Sequence, residues 1–482
     1  MIKRESEKKS WRHYTNLVVL RYSHFCLIWV MALSVFLSGG CSAKGKIANT
    51  PVEKLPGKEI RYSFSNHIKK HDIGEIMFIL AFSGGGTRAA ALSYGVLEEL
   101  KNTYYETSGK QYRLLDEVDR ISSVSGGSFT AAYFGLFGDR IFKDFKDVFL
   151  YKDVESELKS RMLGLFDTLE RSFSSTSRTE DAINFYDQYI FKGKTFADLQ
   201  RSSKAFILIN ATDLSSHNQF VFSQRQFDFF CSDLSQFKVA RAVAASSAVP
   251  VLFHPILVKK HPECNFEKPD WLVEAKQEAS QTNNLRLKEL VKSMEFYLDK
   301  RNPPYATLVD GGVTDNLGLR AIYRNLMLSG GAVKLYQSQE KPPSIKHIVI
   351  LVVNAATTAV TDIGKSEIIP SAIDVITAVT DIQLHLFNTE SNSLLKEELI
   401  DFVKKLSRFD SRLQPYFIEL SLDDVRDQNE ELNLNKIPTS FYLEKEQVDI
   451  LIDTAKNLLR QNEDYQKLLI NLGASVAIGN IQ

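Results

Sequence analysis

Short, largely apolar runs alternate with amphipathic segments between residues 76 and 353. The runs lie at 76–82, 120–124, 206–210, 306–309 and 347–353, and they are typical of strands buried in a parallel sheet. After the first run, apolar side chains recur at helical spacing, at Leu92, Val96, Leu97 and Leu100. Strands that alternate with helices predict an α/β fold with a mostly parallel central sheet flanked by helices.

Two polar, helix-prone stretches interrupt this alternation, at 139–195 and at 257–304. They are insertions that serve either as lids over an active-site mouth or as decoration, and the pattern does not choose between these. Residues 75–355 therefore form the predicted catalytic domain. No strand is predicted after about residue 356, so 356–482 is expected to be a mainly helical C-terminal region.

One C-terminal segment, 443–468, has a clear amphipathic pattern. Its apolar face carries Val448, Leu451, Ile452, Ala455, Leu458 and Leu459. The opposite face mixes both signs of charge, whereas helices that lie on membranes usually have a basic polar face. The pattern favours a helix packed on the body over a membrane-surface helix.

The first 41 residues have the pattern of a targeting segment. Six basic and two acidic residues precede an apolar run from Phe25 to Leu37, which is too short to span a bilayer. Small residues then precede Cys41, as in a bacterial lipobox, so we expect a lipidated Cys41 at the mature N-terminus of an envelope lipoprotein. A plain signal peptide and an uncleaved inner-membrane anchor are the alternatives. Residues 42–74 are predicted to be a tether.

Charge and cysteine usage narrow the function further. The 482 residues carry 59 Lys and Arg and 59 Asp and Glu, so the neutral total gives no general case for nucleic-acid binding. A membrane-facing patch remains compatible with it. Outside the targeting segment only Cys231 and Cys264 remain, and they can pair in an oxidising compartment. Their spacing alone does not decide whether they do.

A glycine-rich turn, Ser83-Gly84-Gly85-Gly86-Thr87-Arg88, joins the first predicted strand to the first helix. Backbone N–H groups of such a turn, with a helix N-terminus behind them, form a site for negative charge. Such a site can hold either a phosphate or the oxyanion of an acyl-transfer intermediate. The turn matches neither the nucleotide P-loop nor the G-x-G-x-x-G fingerprint, which favours the oxyanion. Arg88 is unfavourable for the helix dipole there, which indicates either a functional role or an unseen ion pair.

The second motif is Ser123-Val124-Ser125-Gly126-Gly127, which follows another predicted strand. A serine on a sharp strand-to-helix turn presents its hydroxyl for nucleophilic attack. Ser123 replaces the usual first glycine of this elbow. Ser125 is the candidate nucleophile because it has glycine two residues after it.

The third motif is Asp310-Gly311-Gly312-Val313-Thr314-Asp315-Asn316, at the end of a predicted buried strand. A serine nucleophile needs a base, and a carboxylate fixed at a strand end suits that role. Burial of Asp310 would raise its basicity. Asp315 and Asn316 are expected to cap the next helix. A simple Asp-Gly turn is the alternative interpretation of Asp310.

Together these motifs resemble the patatin-like phospholipases. Asn210-Ala211-Thr212-Asp213 and Ala245-Ser246-Ser247-Ala248-Val249-Pro250, followed by Phe253, add to the resemblance, which covers about residues 75–355. It implies a phospholipase A or lysophospholipase that cleaves lipid esters at a membrane surface. It also implies a Ser125–Asp310 dyad without histidine, an oxyanion site at Gly84, Gly85 and Gly86, a supporting Arg88, and no metal or organic cofactor.

Two other functions remain compatible with the sequence. A Ser-His-Asp hydrolase would use His347 or His254, although both positions are more often structural. A catalytically inactive binding lipoprotein on the same fold is the other possibility, and the missing first glycine of the elbow is the one feature that favours it. The sequence does not indicate head group or chain length of the substrate.

Overall fold

A computed structural model describes residues 45–476. Its gaps are 58–60, 72, 108, 155, 157–177, 251, 263, 265, 300, 329–344, 358–362, 364–366, 368 and 407–411. Residues from Gly45 onward form one compact unit, whereas the predicted targeting segment, with Cys41, lies outside the described residues.

The unit is built on an eight-stranded sheet. Its strands follow the order β10-β9-β1-β4-β5-β8-β7, with β6 paired to β5, and β2, β3 and β11 form a separate small sheet. The strands are β1 Ile76–Phe82, β2 Thr103–Thr107, β3 Lys110–Arg113, β4 Val118–Val124, β5 Phe206–Asp213, β6 Asn218–Val221, β7 Ile256–Lys259, β8 Tyr305–Val309, β9 His347–Asn354, β10 Gln414–Ser421 and β11 Ser475–Val476.

Five neighbouring strands, from β10 to β5, run parallel, while β6, β7 and β8 are antiparallel to their partners. The α-helices are α1 Phe64–Lys70, α2 Gly86–Asn102, α3 Gly126–Phe137, α4 Ile141–Phe145, α5 Arg178–Phe185, α6 Phe196–Ser202, α7 Gln224–Asp228, α8 Val239–Ser246, α9 Asp270–Gln281, α10 Leu285–Leu298, α11 Gly312–Asp315, α12 Leu319–Leu328, α13 Ala372–Leu406, α14 Gln428–Asn435, α15 Lys445–Gln461 and α16 Glu463–Leu472. The predicted α/β fold, with its helical C-terminal extension, is confirmed.

Both faces of the sheet are buried, which explains the continuous apolar runs. In β1, Phe78 and Leu80 face a large core, while Ile79 points to a smaller core on the opposite face. Helices α12 and α13 cover the smaller core with Leu319, Ile322, Tyr323, Leu395, Leu399 and Val403. The alternation of side chains along a strand assigns successive residues to the two layers.

Several described residues of the expected tether are packed on the body. Asn49 bonds the backbone N–H and C=O of Lys259, and the Val52 N–H donates to the Cys231 carbonyl at 3.0 Å. Tyr62 is buried, and its hydroxyl donates to the Ile207 carbonyl at 2.7 Å. The prediction of a tether over 42–74 is therefore wrong from residue 45 onward. Polar composition hid a segment whose contacts lie far away in the sequence.

The prediction that strands end near residue 356 is also wrong. Residues 414–421 form β10, which extends the sheet beside β9 with Gln414 opposite His347. The segment expected as one helix over 443–468 is α15 and α16, and the predicted apolar face of α15 is buried. Helix α15 packs on α2, which confirms a packed helix rather than a membrane-surface one.

The described parts of both insertions are packed on the body. In the first, Phe145, Phe149 and Phe185 are fully buried, and Phe149 stacks on Phe129 of α3 at 4.3 Å. The second contains α9 and α10, and Tyr297 of α10 packs against Phe230. Cys231 and Cys264 are joined in a disulfide. Within the described chain no helix combines the length and the apolarity that a bilayer crossing requires.

Candidate active site

Ser125 lies on a sharp turn between β4 and α3. Its φ is 49°, a positive value that residues other than glycine rarely adopt. The turn is fixed by a hydrogen bond of 2.8 Å from the Ser125 N–H to the Ser246 hydroxyl. Strain held at a buried turn is typical of a functional side chain, and here the turn presents one buried hydroxyl at the end of the sheet.

Position 126 requires glycine because the backbone there lies directly against the backbone of Gly86. A Cβ on Gly126 would overlap the carbonyl oxygen of Gly86. The turn after β1 and the turn after β4 are therefore in direct backbone contact. Ser123, which replaces the usual first glycine of the elbow, is fully buried and donates to the Leu208 carbonyl of β5 at 2.9 Å. The serine at this position thus ties β4 to β5.

The glycine-rich turn approaches Ser125 from β1, but its three glycines are not equivalent. The Gly84 N–H donates to the Asn316 carbonyl at 2.9 Å, so the expectation of Gly84 as an oxyanion donor is not met. Gly85 and Gly86 have positive φ angles, of 137° and 60°. Among the described residues, the N–H groups of Gly85, Gly86 and Gly126 have no hydrogen-bond acceptor. These are the donors left for a ligand.

Arg88 is buried beneath this turn and holds it to distant parts of the chain. Its guanidinium donates to the carbonyls of Ala355 and Ile437 and to the Thr439 hydroxyl. The Thr87 N–H donates to the Ser440 carbonyl at 2.8 Å. Arg88 thus holds the glycine turn to the segments around Ala355 and Ile437.

Asp310 reaches the serine from the antiparallel strand β8. Its carboxylate accepts the Gly312 N–H at 2.8 Å and interacts with the Ser125 side chain. Burial raises the pKa of Asp310 to about 6, although the hydrogen bonds from Gly312 and Ser125 lower it. A carboxylate with such a pKa is ionised at neutral pH and is a stronger base than an exposed aspartate.

Ser246 connects the two halves of the site, a role that the sequence analysis did not assign. Its hydroxyl accepts from Ser125 and donates to the Asn210 carbonyl at 2.6 Å, while its carbonyl accepts the Gly311 N–H at 3.0 Å. The same serine therefore positions both the nucleophile turn and the strand end that carries Asp310. The signal was its place in the Ala-Ser-Ser-Ala-Val-Pro motif.

Three further polar residues near the site have structural roles. The Asp315 carboxylate accepts the Arg320 N–H at 2.8 Å at the start of α12, which confirms it as a cap. Asn316 acts through its carbonyl on Gly84 instead. Asp213 accepts three hydrogen bonds, from Tyr297, Thr307 and Ser215, at 2.7–2.9 Å.

Neither candidate histidine acts on Asp310. His347 starts β9, whereas Val353 near its end is level with Phe82 and, through it, with Ser123. Six residues along a strand span about 20 Å, which is the distance between His347 and the serine turn. His254 is exposed, and its backbone bonds the Thr179 hydroxyl. Within the described chain, no histidine is among the groups that shift the pKa of Asp310.

The arrangement combines a hydroxyl, a buried base and free N–H donors in one place. A carbonyl carbon above Ser125 can be attacked by the hydroxyl while Asp310 takes the proton. The carbonyl oxygen would then face the N–H groups of Gly85, Gly86 and Gly126. This set of groups suits acyl transfer. A polar cavity of about 490 Å³ lies elsewhere, lined by Glu419, Asp464 and Arg426 among others.

Comparison with known proteins agrees with the motifs. A family model described as patatin-like phospholipase matches residues 80–323, half of the chain. No curated protein matches. Among solved structures, human GIVD cytosolic phospholipase A2 aligns at 11% identity and a TM-score of 0.43. The alignment covers 90% of this chain and 66% of that one, so the chain spans just under two thirds of that protein's length.

The raised pKa of Asp310 also affects stability. In the unfolded chain the pKa of Asp310 has its ordinary value of 3.8, whereas in the folded chain it is about 6. The folded state therefore holds this proton over the interval, and the contribution of Asp310 to stability falls as pH rises from about 4 to about 6. Above about pH 6 the full cost is present, on the order of 3 kcal/mol.

We therefore expect Asp310→Asn to increase the free energy of unfolding at about pH 8 by about 1–3 kcal/mol and to leave it nearly unchanged at about pH 4. Asp213→Asn is the matched control, and it should lose about 1–2 kcal/mol because one amide oxygen replaces a carboxylate that accepts three bonds. Urea unfolding of both variants at the two pH values measures this. Equal destabilisation of both at pH 8 would contradict the burial argument.

Proposed function

The chain belongs to the patatin-like phospholipase family, and we propose that it is a serine acyl hydrolase of phospholipase A or lysophospholipase type. Its substrates would be fatty-acyl esters of membrane lipids. The observation that carries the proposal is the Ser125 side chain held against the buried Asp310 carboxylate, beside three unoccupied N–H donors. Family membership supports a lipid substrate, while the roles of individual residues are inferred from their contacts.

In the proposed first step, the Ser125 oxygen bonds to the ester carbonyl carbon and Asp310 accepts the hydroxyl proton. The carbonyl electron pair moves to oxygen, where the N–H groups of Gly85, Gly86 and Gly126 stabilise it. Loss of one such donor typically costs about 3 kcal/mol of activation free energy. The oxyanion then collapses, the bond to the leaving alcohol breaks, and the alcohol takes the proton from Asp310.

In the second step, water attacks the acyl group on Ser125 and gives its proton to Asp310. Collapse of this intermediate releases the fatty acid, and the proton returns to the Ser125 oxygen. The two residues end in their starting state, so one pair of side chains serves both half-reactions. Ser246 is a positioning residue here, because it touches Ser125 and the Asp310 strand end rather than the reacting atoms.

The alternatives lose the features that favoured them. A triad with His347 would require that side chain to cross the length of a strand, about 20 Å. The inactive binding protein was favoured only by Ser123 in place of glycine. The hydrogen bond from Ser123 to Leu208 gives that serine a structural reason, so its presence does not argue against catalysis.

Localisation is a separate proposal. We propose that residues 1–41 export the chain and that Cys41 is lipidated, which would place the enzyme on an envelope membrane. The basic flank, the apolar run and the small residues before Cys41 support export, as does the Cys231–Cys264 disulfide, since disulfides persist in oxidising compartments.

The dyad is tested by hydrolysis of a soluble acyl ester and of phospholipid. Ser125→Ala and Asp310→Asn are each expected to lower kcat/KM by a factor on the order of 10⁴ or more, because a nucleophile or its base is lost. His254→Ala and His347→Ala are the controls and should retain activity within about threefold. Loss of activity in either histidine variant, or an active Ser125→Ala, would require another mechanism.

The pH profile tests Asp310 as the base. Protonated Asp310 cannot accept a proton, so kcat/KM is expected to fall about tenfold for each pH unit below about 6 and to be level above it. The contribution of Asp310 to stability rises over the same interval, so protonation of this group does not itself unfold the protein. A rate that is constant from about pH 5 to about pH 8 would contradict the assignment.

Lipidation is tested in cells that express the full chain. Metabolic labelling with a fatty acid should label the wild type and leave Cys41→Ser unlabelled. Cys264→Ser is the control, because that cysteine pairs with Cys231 in the folded body. Equal labelling of the wild type and Cys41→Ser would overturn lipidation at this residue without affecting the catalytic proposal.

A further inference from the structure

Helix α13 is about twice as long as the strands that it connects. It has 35 residues, which corresponds to about 52 Å, whereas β9 and β10 have eight residues each, about 26 Å. Because β9 and β10 are parallel neighbours, the helix only has to return along the length of one strand. About half of it must therefore extend past the sheet.

The contacts of α13 show which half extends. Leu395, Leu399 and Val403 are buried against the sheet in the smaller core. Asn392 bonds Glu419, which is level with Val352 near the carboxyl end of β9. Residues 372–387 therefore lie beyond the carboxyl edge of the parallel strands. This is the edge at which β4 delivers Ser125.

The extending half has an apolar outer face, which we call the α13 stripe: Val375, Val379, Ile382 and Leu386. These residues follow one another at spacings of four, three and four, so they share one side of the helix. Each is 46–56% exposed. The same side of the packed half carries the exposed residues Ser393, Glu397 and Lys404, with Ile400, 51% exposed, between the last two. The outer face of the packed half is thus mixed, whereas all four stripe positions of the extending half are apolar.

The stripe is near the mouth of the site. Helix α11, which directly follows Asp310, packs against α13. Val313 on α11 is 49% exposed and lies three residues after Asp310. Phe387, just after the stripe, is 46% exposed with the Arg320 guanidinium over its ring. Exposed apolar side chains therefore lie both on α13 and on α11, the helix that follows Asp310.

Area and charge distinguish two kinds of partner for this face. The four stripe residues and Phe387 are each about half exposed, which corresponds to an exposed apolar area on the order of 400–500 Å². This is below the roughly 800 Å² per partner that a stable dimer buries. Two heptads are also short for a coiled coil. From Ala372 to Phe387 the chain has two aspartates and no lysine or arginine, so attraction to anionic head groups is not built in.

We propose that the α13 stripe docks the enzyme on a lipid surface with neutral or zwitterionic head groups, with the mouth of the active site facing that surface. The inference rests on the proposed function, because a lipid-ester substrate gives this edge a reason to meet a membrane. Insertion of the stripe into the boundary between head groups and acyl chains would hold Ser125 where substrate lipids can reach it.

The experiment uses residues 45–482, which form a compact unit without the targeting segment. The stripe variant is Val379→Ser with Ile382→Ser and Leu386→Ser. The control is Ile470→Ser, which changes an equally large side chain, 76% exposed. Ile470 lies next to Asn471, which bonds Gln414 at the amino end of β10, so the control is at the opposite edge of the sheet. All four side chains are exposed, so folding should be retained, and thermal unfolding checks this.

Flotation with phosphatidylcholine vesicles measures docking, and a soluble ester measures chemistry. The stripe variant should lose at least about tenfold in vesicle binding and in hydrolysis of vesicle lipid, while soluble-ester turnover stays within about twofold of wild type. Ile470→Ser should match wild type in each assay. Added phosphatidylglycerol should not increase binding.

Three outcomes would overturn the proposal: vesicle binding of the stripe variant equal to wild type, equal losses in Ile470→Ser, or a wild-type dimer that the stripe variant abolishes without changing vesicle binding. The last result, from sedimentation, would identify a second copy as the partner. Failure of the proposed function looks different, since the wild type would then bind vesicles through the stripe yet hydrolyse no ester.

Discussion

The backbone contact between Gly86 and Gly126 is the constraint on which the site depends. Two strand-to-helix turns, from the neighbouring strands β1 and β4, meet with no space for a side chain between them. That contact brings the N–H donors of one turn to the hydroxyl carried by the other. Any larger residue at Gly126 would separate the turns and move the donors from the place proposed for the oxyanion.

The contact is held in place from both sides. Ser246 fixes the serine turn, while Arg88 and the backbone at Ser440 fix the glycine turn. Ser440 belongs to the C-terminal region, outside the residues that match the family model. A region that looks like an extension in the sequence is thus part of the support of the site. Most of this support is hydrogen bonding to backbone atoms, which leaves little trace in residue identity.

The sequence predicted what is local and missed what is not. Ser125 and Asp310 each lie in a strand-turn-helix pattern contained within about ten residues, so both could be read directly. The hydrogen bond from the Gly84 N–H to the Asn316 carbonyl joins residues 232 positions apart, and no sequence pattern predicts it. The apolar spacing in α13 is the same for a core helix and for an exposed one. Only the length of the neighbouring strands shows that half of this helix has no sheet to cover.

The hydrogen bond from the Thr87 N–H to the Ser440 carbonyl affects the order in which the site forms during synthesis. Ser125 and the glycine turn leave the ribosome more than 300 residues before the segment that braces them, and Asp310 follows the serine by 185. Contacts of such large sequence separation form late, because the chain entropy of closing them must be overcome first. The nascent chain therefore carries a nucleophile without its assembled surroundings. Under the proposed function, activity therefore begins only after the segment around Ser440 has been synthesised.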